Sequence, residues 1–298
     1  MSQPTCILVI GAHRSGTSAV ARTLGLMGAA EARDLVPANA ANPSGYWEAE
    51  AVVASHDRFL RAIGSRWDDP RPLPARTLAS PAADACRAEL LAVLRSEFAS
   101  APRFVIKDPR LCRLAPLMLD ALAAFGPRTL VVSPLRAPGE AMRSLAAREG
   151  FSRLRCAALW LGHVLEAERL TRGLPRAFID YAGFRDNPAA AARDLAARLG
   201  GLPFDPAAAA RIEAYWSAAG PQPPAMPQPT DDPMTMLAAD VYAVLAAATA
   251  SGEPDLTALD AARAAFAVRL RSAAWRRDAV QHGLNHLANH VARKLAKT

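Results

Sequence analysis

Gly11-Ala12-His13-Arg14-Ser15-Gly16-Thr17-Ser18 follows directly on the apolar run Cys6-Ile7-Leu8-Val9-Ile10. The pattern has the form of a strand, a glycine-bearing turn and a helix start. Such a turn aims backbone N–H groups and the positive end of a helix dipole at one point, which suits a phosphate. The ATP-binding version reads G-x-x-x-x-G-K-[ST]. Both glycines keep that spacing here, but Thr17 stands at the lysine position and the cation lies inside the loop, at Arg14. The loop is built for an anion, though not as an ordinary NTPase loop. A second group runs from Arg136 to Ser144, with Pro138 suited to a helix start. On a helix those eight residues are about two turns, so an arginine and a hydroxyl can clasp a second phosphate.

Other candidates supply charge and proton transfer. Lys107, in Lys107-Asp108-Pro109-Arg110, is the only lysine before residue 294 and ends an apolar run. It and Arg14 are the cations best placed to neutralise a transferred group. Glu48 begins a helical stretch after the irregular segment 29–47 and is the first choice for a general base. His56, two turns later, competes with it; His13, Glu50 and Glu31 stay open. Tyr46 and Trp47 offer walls for an acceptor pocket. His282, His286 and His290 fall on one helical face, but no fourth ligand accompanies them, so a solvated polar face is expected rather than a metal site.

These residues need a sheet to hold them. Short apolar runs at Thr5–Ile10, Phe104–Lys107, Thr129–Ser133 and Ala177–Asp180 alternate with helical patterns at 17–28, 48–63, 82–99, 112–125, 138–148, 153–172 and 188–199. That alternation predicts an α/β fold, an open parallel sheet flanked by helices. Ligands of such sheets sit at the carboxyl ends of the strands, which is where loop 11–18, Lys107, Arg136 and Tyr181 fall. Residues 1–220 form the expected binding domain and 221–233, with six prolines, a linker. A helical C-terminal extension follows over 234–298, with helices expected at 234–249 and 256–298.

Composition narrows the classes. The chain has 298 residues, 51% of them hydrophobic, and a net charge of +7. Eight of its cations stand in residues 259–298 against two aspartates, so the basic balance belongs to the tail and gives no reason to expect nucleic acid on the body. The four cysteines lack metal or disulfide spacing, and no apolar run of spanning length is read, so a cytoplasmic protein is expected. In the tail, Leu284, Leu287, Val291 and Leu295 form an apolar stripe beside Arg277, Arg293, Lys294 and Lys297, suited to a membrane surface, a dimer contact or docking on the body.

Taken in order, the motifs resemble those of sulfotransferases that use 3′-phosphoadenosine 5′-phosphosulfate (PAPS), in particular the bacterial sulfotransferase-like proteins of P-loop fold. Arg14-Ser15-Gly16-Thr17 is similar to the segment that cradles the 5′-phosphosulfate, with Ala12 and His13 replacing the usual preceding residues and Ser18 following. Arg136 to Ser144 resembles the 3′-phosphate motif. Asn42-Pro43-Ser44-Gly45-Tyr46-Trp47-Glu48, Lys107-Asp108-Pro109-Arg110 and Ala177–Tyr181 also match, the last with its tyrosine near the adenine. The C-terminal Gly/Lys motif of the cytosolic small-molecule enzymes is missing. The resemblance implies transfer of a sulfuryl group from PAPS, leaving the 3′,5′-bisphosphate PAP, with no metal required. The acceptor would be a hydroxyl or amine of a small molecule, glycan or lipid. A P-loop small-molecule kinase and a non-catalytic nucleotide-binding protein are the alternatives.

Overall fold

The computed structural model describes residues 3–40, 42–200, 202–218 and 232–295. At its centre are four strands, β1 (Thr5–Val9), β2 (Arg103–Lys107), β3 (Arg128–Leu135) and β4 (Arg176–Asp180), all parallel and in the spatial order β2-β1-β3-β4. Parallel neighbours require crossovers, and helices supply them. Helices α1 (Thr17–Leu26), α2 (Glu50–Ala62), α3 (Ala75–Leu78) and α4 (Pro81–Phe98) lie between β1 and β2. Helix α5 (Leu111–Phe125) leads to β3, and α6 (Pro138–Glu149) and α7 (Arg153–Leu170) lead to β4. Then come α8 (Tyr181–Asp186), α9 (Pro188–Leu199), α10 (Pro206–Ala218), α11 (Pro233–Ser251), α12 (Leu256–Arg269) and α13 (Ala273–Leu295).

Strand β1 reads as unbroken apolar sequence because both its faces are buried. Cys6 and Leu8 join Phe59, Leu90 and Leu117 on one face, while Ile7 and Val9 join Leu24, Leu195 and Ile212 on the other. From β1 the chain goes first to β2 on one side and then, past β1, to β3 on the other. The reversal opens a crevice at the carboxyl ends of β1 and β3, and loop 10–16 leaves β1 at that point.

The four sequence-predicted strands are present. β3 runs two residues beyond its expected end, through Pro134, a residue rare in central strands. The reason is local: β1 pairs with β3 only as far as Val132, and Ile10 N–H donates to the Val132 carbonyl at 3.0 Å. Beyond that point β1 has turned away, so Pro134 forfeits no ladder bond. Helices α3, α8 and α10 are additions to the expected set, α3 and α8 being too short for periodicity to register. The single helix expected over 256–298 is two, because the Ser272 hydroxyl accepts from Trp275 N–H at 3.2 Å and starts α13 afresh.

Of the proline-rich stretch 221–233, only Asp232 and Pro233 fall within the described residues, and they open α11. Met234, Leu237, Val241 and Leu245 of α11 share an apolar cluster with Trp160 and Leu161 of α7. By length and composition α11 is apolar enough to cross a membrane, contrary to the expectation that no such segment exists. One side of it packs against α7, β4 and α12, while Met236 on another is 54% exposed.

Gly162 of α7 tests this packing, because a Cβ there would lie 2.1 Å from the Pro70 carbonyl oxygen. Gly162→Ala should cost about 1–3 kcal/mol by overpacking. Gly283→Ala, in open space on α13, should be neutral or gain up to about 1 kcal/mol of helix propensity. Denaturant unfolding of the two variants checks the contrast.

Candidate active site

The loop after β1 is held tightly against β3. A Cβ on Gly11 would lie 3.0 Å from Thr17 Cγ2 and 3.2 Å from the Pro134 carbonyl oxygen, so the turn leaves little room for a side chain. Arg14 (φ 67°) and Gly16 (φ 84°) both adopt the left-handed region. For the arginine this is a strained conformation of the kind that gathers at ligand sites. Gly16 precedes α1 and provides no side-chain cap, which leaves the first N–H groups of the helix to other partners. The Tyr181 ring lies over Gly16, where a Cβ would come within 2.0 Å of it. Ser15 Oγ is buried and has no partner.

The two anion motifs meet. Arg14 Nε donates to Ser144 Oγ at 2.8 Å, and Arg136 Nη1 donates to the Arg14 carbonyl at 3.1 Å. Arg136 also donates from Nε to Glu140 at 2.9 Å, and its guanidinium lies 5.2 Å from the centre of the Tyr181 ring. Burial lowers the pKa of Arg14, and the positive charges of Arg148 and Arg136 lower it further. Cations that repel one another in a partly buried pocket favour a bound anion.

Lys107 ends β2 beside this loop with only 3% of its surface exposed. Its Nζ donates to Glu48 Oε1 at 2.5 Å, to the Tyr46 carbonyl at 3.0 Å and to Ser18 Oγ at 3.2 Å. Its partner is thus Glu48 rather than the neighbouring Asp108. Glu48 precedes α2 by two residues instead of beginning it, and follows Trp47, whose φ is 56°. Burial raises the Glu48 pKa against the pull of Lys107, and the charge of Asp108 adds to the rise.

Beneath Glu48 lie further buried charges. Asp108 is fully buried and meets His56 Nδ1 at 2.7 Å, while accepting from the Arg110 backbone N–H at 2.9 Å and side chain at 3.0 Å. Arg110 also grips Asp57 at 2.6 Å and lies 3.8 Å from Glu48. Burial pushes the Asp108 carboxyl up, but Arg110 and His56 more than offset it and hold the pKa well below the usual carboxylate range.

These groups surround one cleft of about 810 Å³. Its walls include His13, Arg14, Gly16, Thr17, Ser18, Tyr46, Glu48, Lys107, Arg136 and Tyr181. Several candidates sit elsewhere. His56 is fully buried and contributes nothing to the wall. Ala12 packs into the α6–α7 cluster, and Trp47 lies under the Arg22 guanidinium, 4.4 Å from its ring centre. Ser15 and Ser144 are not part of the wall, Ser144 being bonded to Arg14. His13 packs against Trp67 at 4.5 Å and His163 at 5.4 Å. Burial, His163 and Arg148 depress its pKa, and burial takes His163 down to about 3.

Trp67, Arg110 and Arg148 also line the cleft. Sequence reasoning quoted Arg110 inside a motif without giving it a role, and nothing in the spacing of Trp67 or Arg148 points to them. No group of three or more potential metal ligands occurs among the described residues. His282 does not face solvent as expected, since its Nε2 lies 2.7 Å from buried Asp68.

No family model matches the chain, and no curated protein does. Among solved structures, the sulfotransferase domain of the Synechococcus PCC 7002 olefin synthase is similar, with a TM-score of 0.46 and 14% identity over 82% of this chain and 96% of that one. Sulfotransferase STF9 from Mycobacterium avium is similar with a TM-score of 0.44 and 15% identity, over 75% of this chain and 70% of its own. Likeness at that level carries no assignment of chemistry. The chemistry has to be read from the cleft.

Lys107→Met leaves the Glu48 carboxylate buried without its cation and should cost about 3–5 kcal/mol. Adding Glu48→Gln should recover most of that loss, which a double-mutant cycle by denaturant unfolding measures. Asp108 has a folded pKa below its ordinary 3.8. The stability it adds is therefore complete above about pH 4 and drains away as pH falls below that value. Asp108→Asn should flatten this part of the acid limb in a pH–stability profile.

Proposed function

We propose that this chain is a PAPS-dependent sulfotransferase acting on a hydroxyl or amine acceptor, with its site built from residues 1–220 and residues 234–298 as a helical extension beyond the 221–233 linker. The observation that carries the proposal is the convergence of Arg14, Ser144 and Arg136 on one side of the cleft with Lys107 and Glu48 on the other. The residues present fit such a donor. Ser15 Oγ is an orphaned buried hydroxyl, Gly16 leaves no side chain between loop and Tyr181, and the arginines around Arg14 are crowded with like charge. A cleft of about 810 Å³ suits a nucleotide-sized ligand.

When bound, PAPS supplies a sulfuryl group attached to a phosphate leaving group. The N–H groups of loop 13–18 and the Arg14 guanidinium bind its 5′ end, and Arg136, with Ser144 once its hydroxyl turns from Arg14, binds its 3′-phosphate. Tyr181 forms a flat wall beside Gly16 on the nucleoside side. Lys107, bonded to Ser18 at the loop and to Glu48, supplies positive charge where charge moves from acceptor to leaving group. Glu48 accepts the acceptor's proton at a carboxylate oxygen, and Lys107 keeps that carboxylate ionised until then. Protein cations do this work, so the residues do not call for a metal.

The kinase alternative is less well supported. Thr17 replaces the phosphate-binding lysine, and Asp108, the aspartate after β2 that would hold Mg²⁺, is fully buried between Arg110 and His56.

Calorimetry with PAP and with ATP–Mg²⁺ tests the reading. PAP should bind without metal, and Arg136→Ala should weaken it by about 10–100-fold through loss of charge-assisted hydrogen bonds. Glu48→Gln should keep PAP affinity while lowering turnover by about 10²–10⁴. Binding of ATP–Mg²⁺ in preference to PAP would overturn the assignment.

A further inference from the structure

Helix α13 has two apolar sides, and only one is covered. Trp275, Ala279 and His282 recur at helical spacing and face the body. Trp275 is 7% exposed and joins the α6–α7–α11 cluster, with Ala279 packed beside it. Asp278 lies on the same side, 3.2 Å from Arg155, and His282 bonds Asp68. Half a turn away, Val280 is 64% and Leu284 57% exposed. Both lie opposite the docked side on a helix of 3.6 residues per turn. Leu284, which opens the apolar stripe read from sequence, is therefore not what attaches this helix to the body.

Charge decides what covers the stripe. Arg276 and Arg277, both exposed, lie one turn before Val280 on this side, and the sequence holds three further cations after residue 290. The one acid in residues 276–298, Asp278, is turned inward to Arg155. Two such helices packed against each other would set cation against cation. An anionic lipid surface accepts both features, apolar side chains at the acyl boundary and arginines and lysines among the headgroups.

We infer that α13 is an interfacial helix that docks the protein on anionic membrane surfaces through Val280, Leu284 and the basic residues flanking them. Its opposite side holds Asp68, next to the cleft residue Trp67, so a bilayer on the outer side lies about one helix diameter from Asp68. The inference does not depend on the reaction assigned to the cleft.

Co-sedimentation of the full chain with vesicles is the test. Wild type should pellet with vesicles of phosphatidylcholine and phosphatidylglycerol and not with phosphatidylcholine alone, and added salt should weaken binding. Val280→Asp with Leu284→Asp should lower vesicle affinity by roughly tenfold or more. Both positions are exposed, so the melting temperature should be unchanged. Absence of pelleting, or equal binding to neutral vesicles, overturns the inference. So does a wild-type dimer in light scattering that the double variant converts to a monomer, which would make this side a contact with a second copy.

Discussion

A single buried ammonium ties the site together. Lys107 Nζ is shared by Ser18 at the start of α1, the Tyr46 carbonyl of the irregular segment, and the Glu48 carboxylate. Its position is fixed from behind, since Lys107 pairs with Val9 in the β1–β2 register. Burying a lysine this deeply requires all of its donors to be used. That requirement reaches into the backbone. A carbonyl at 46 and a carboxylate at 48 meet one nitrogen only if the chain reverses between them, and Trp47 takes a left-handed φ of 56° there. The Trp47 indole, bonded to the Ser44 carbonyl at 2.9 Å and lying under Arg22, anchors the strained residue.

Charge is distributed unequally across the cleft. On the Lys107 side, cations and carboxylates interleave: Lys107 with Glu48, Arg110 with Glu48, Asp57 and Asp108, and Asp108 with His56. On the Arg14 side, the guanidinium of Arg14 finds a hydroxyl rather than a carboxylate and is repelled by Arg136 and Arg148, whose own carboxylate partners are Glu140 and Glu149. The first side is set to hold a proton-accepting group in a fixed state, the second to receive negative charge from outside. The proposed reaction, with two phosphate-like groups and an acceptor, needs that division.

Much of this was legible in the sequence, for definable reasons. The four strands were visible because both faces of the sheet are covered, which turns each strand into a continuous apolar run. Loop 11–18 and the Arg136–Ser144 pair were visible because glycine, proline and fixed helical spacing leave signatures in order. Their contact was not, since nothing in a linear pattern says that Arg14 and Ser144, 130 residues apart, are bonded. Lys107 stood out through the scarcity of lysine, but its partner depended on how segment 29–47 folds back. The tail left three readings of its apolar stripe open, a membrane surface, a dimer contact or docking on the body. Trp275 and Ala279 are what pack on the body, and one tryptophan carries too little periodicity to reveal it.

The contest between Glu48 and His56 for the base in the proposed reaction turns on access rather than on basicity. A histidine has the more convenient ordinary pKa. His56, however, is fully buried, with Nδ1 committed to Asp108 and Nε2 enclosed without a partner. No acceptor atom reaches either nitrogen without opening α2 from the sheet. Glu48 is poorer in intrinsic basicity, but it lies on the cleft wall and burial raises its pKa. Its bond to Lys107 limits that rise and puts the carboxylate beside the charge that forms during transfer. A base must first be within reach of its proton, and geometry therefore favours the carboxylate, with His56 serving to hold Asp108 and, through Arg110, the floor beneath it.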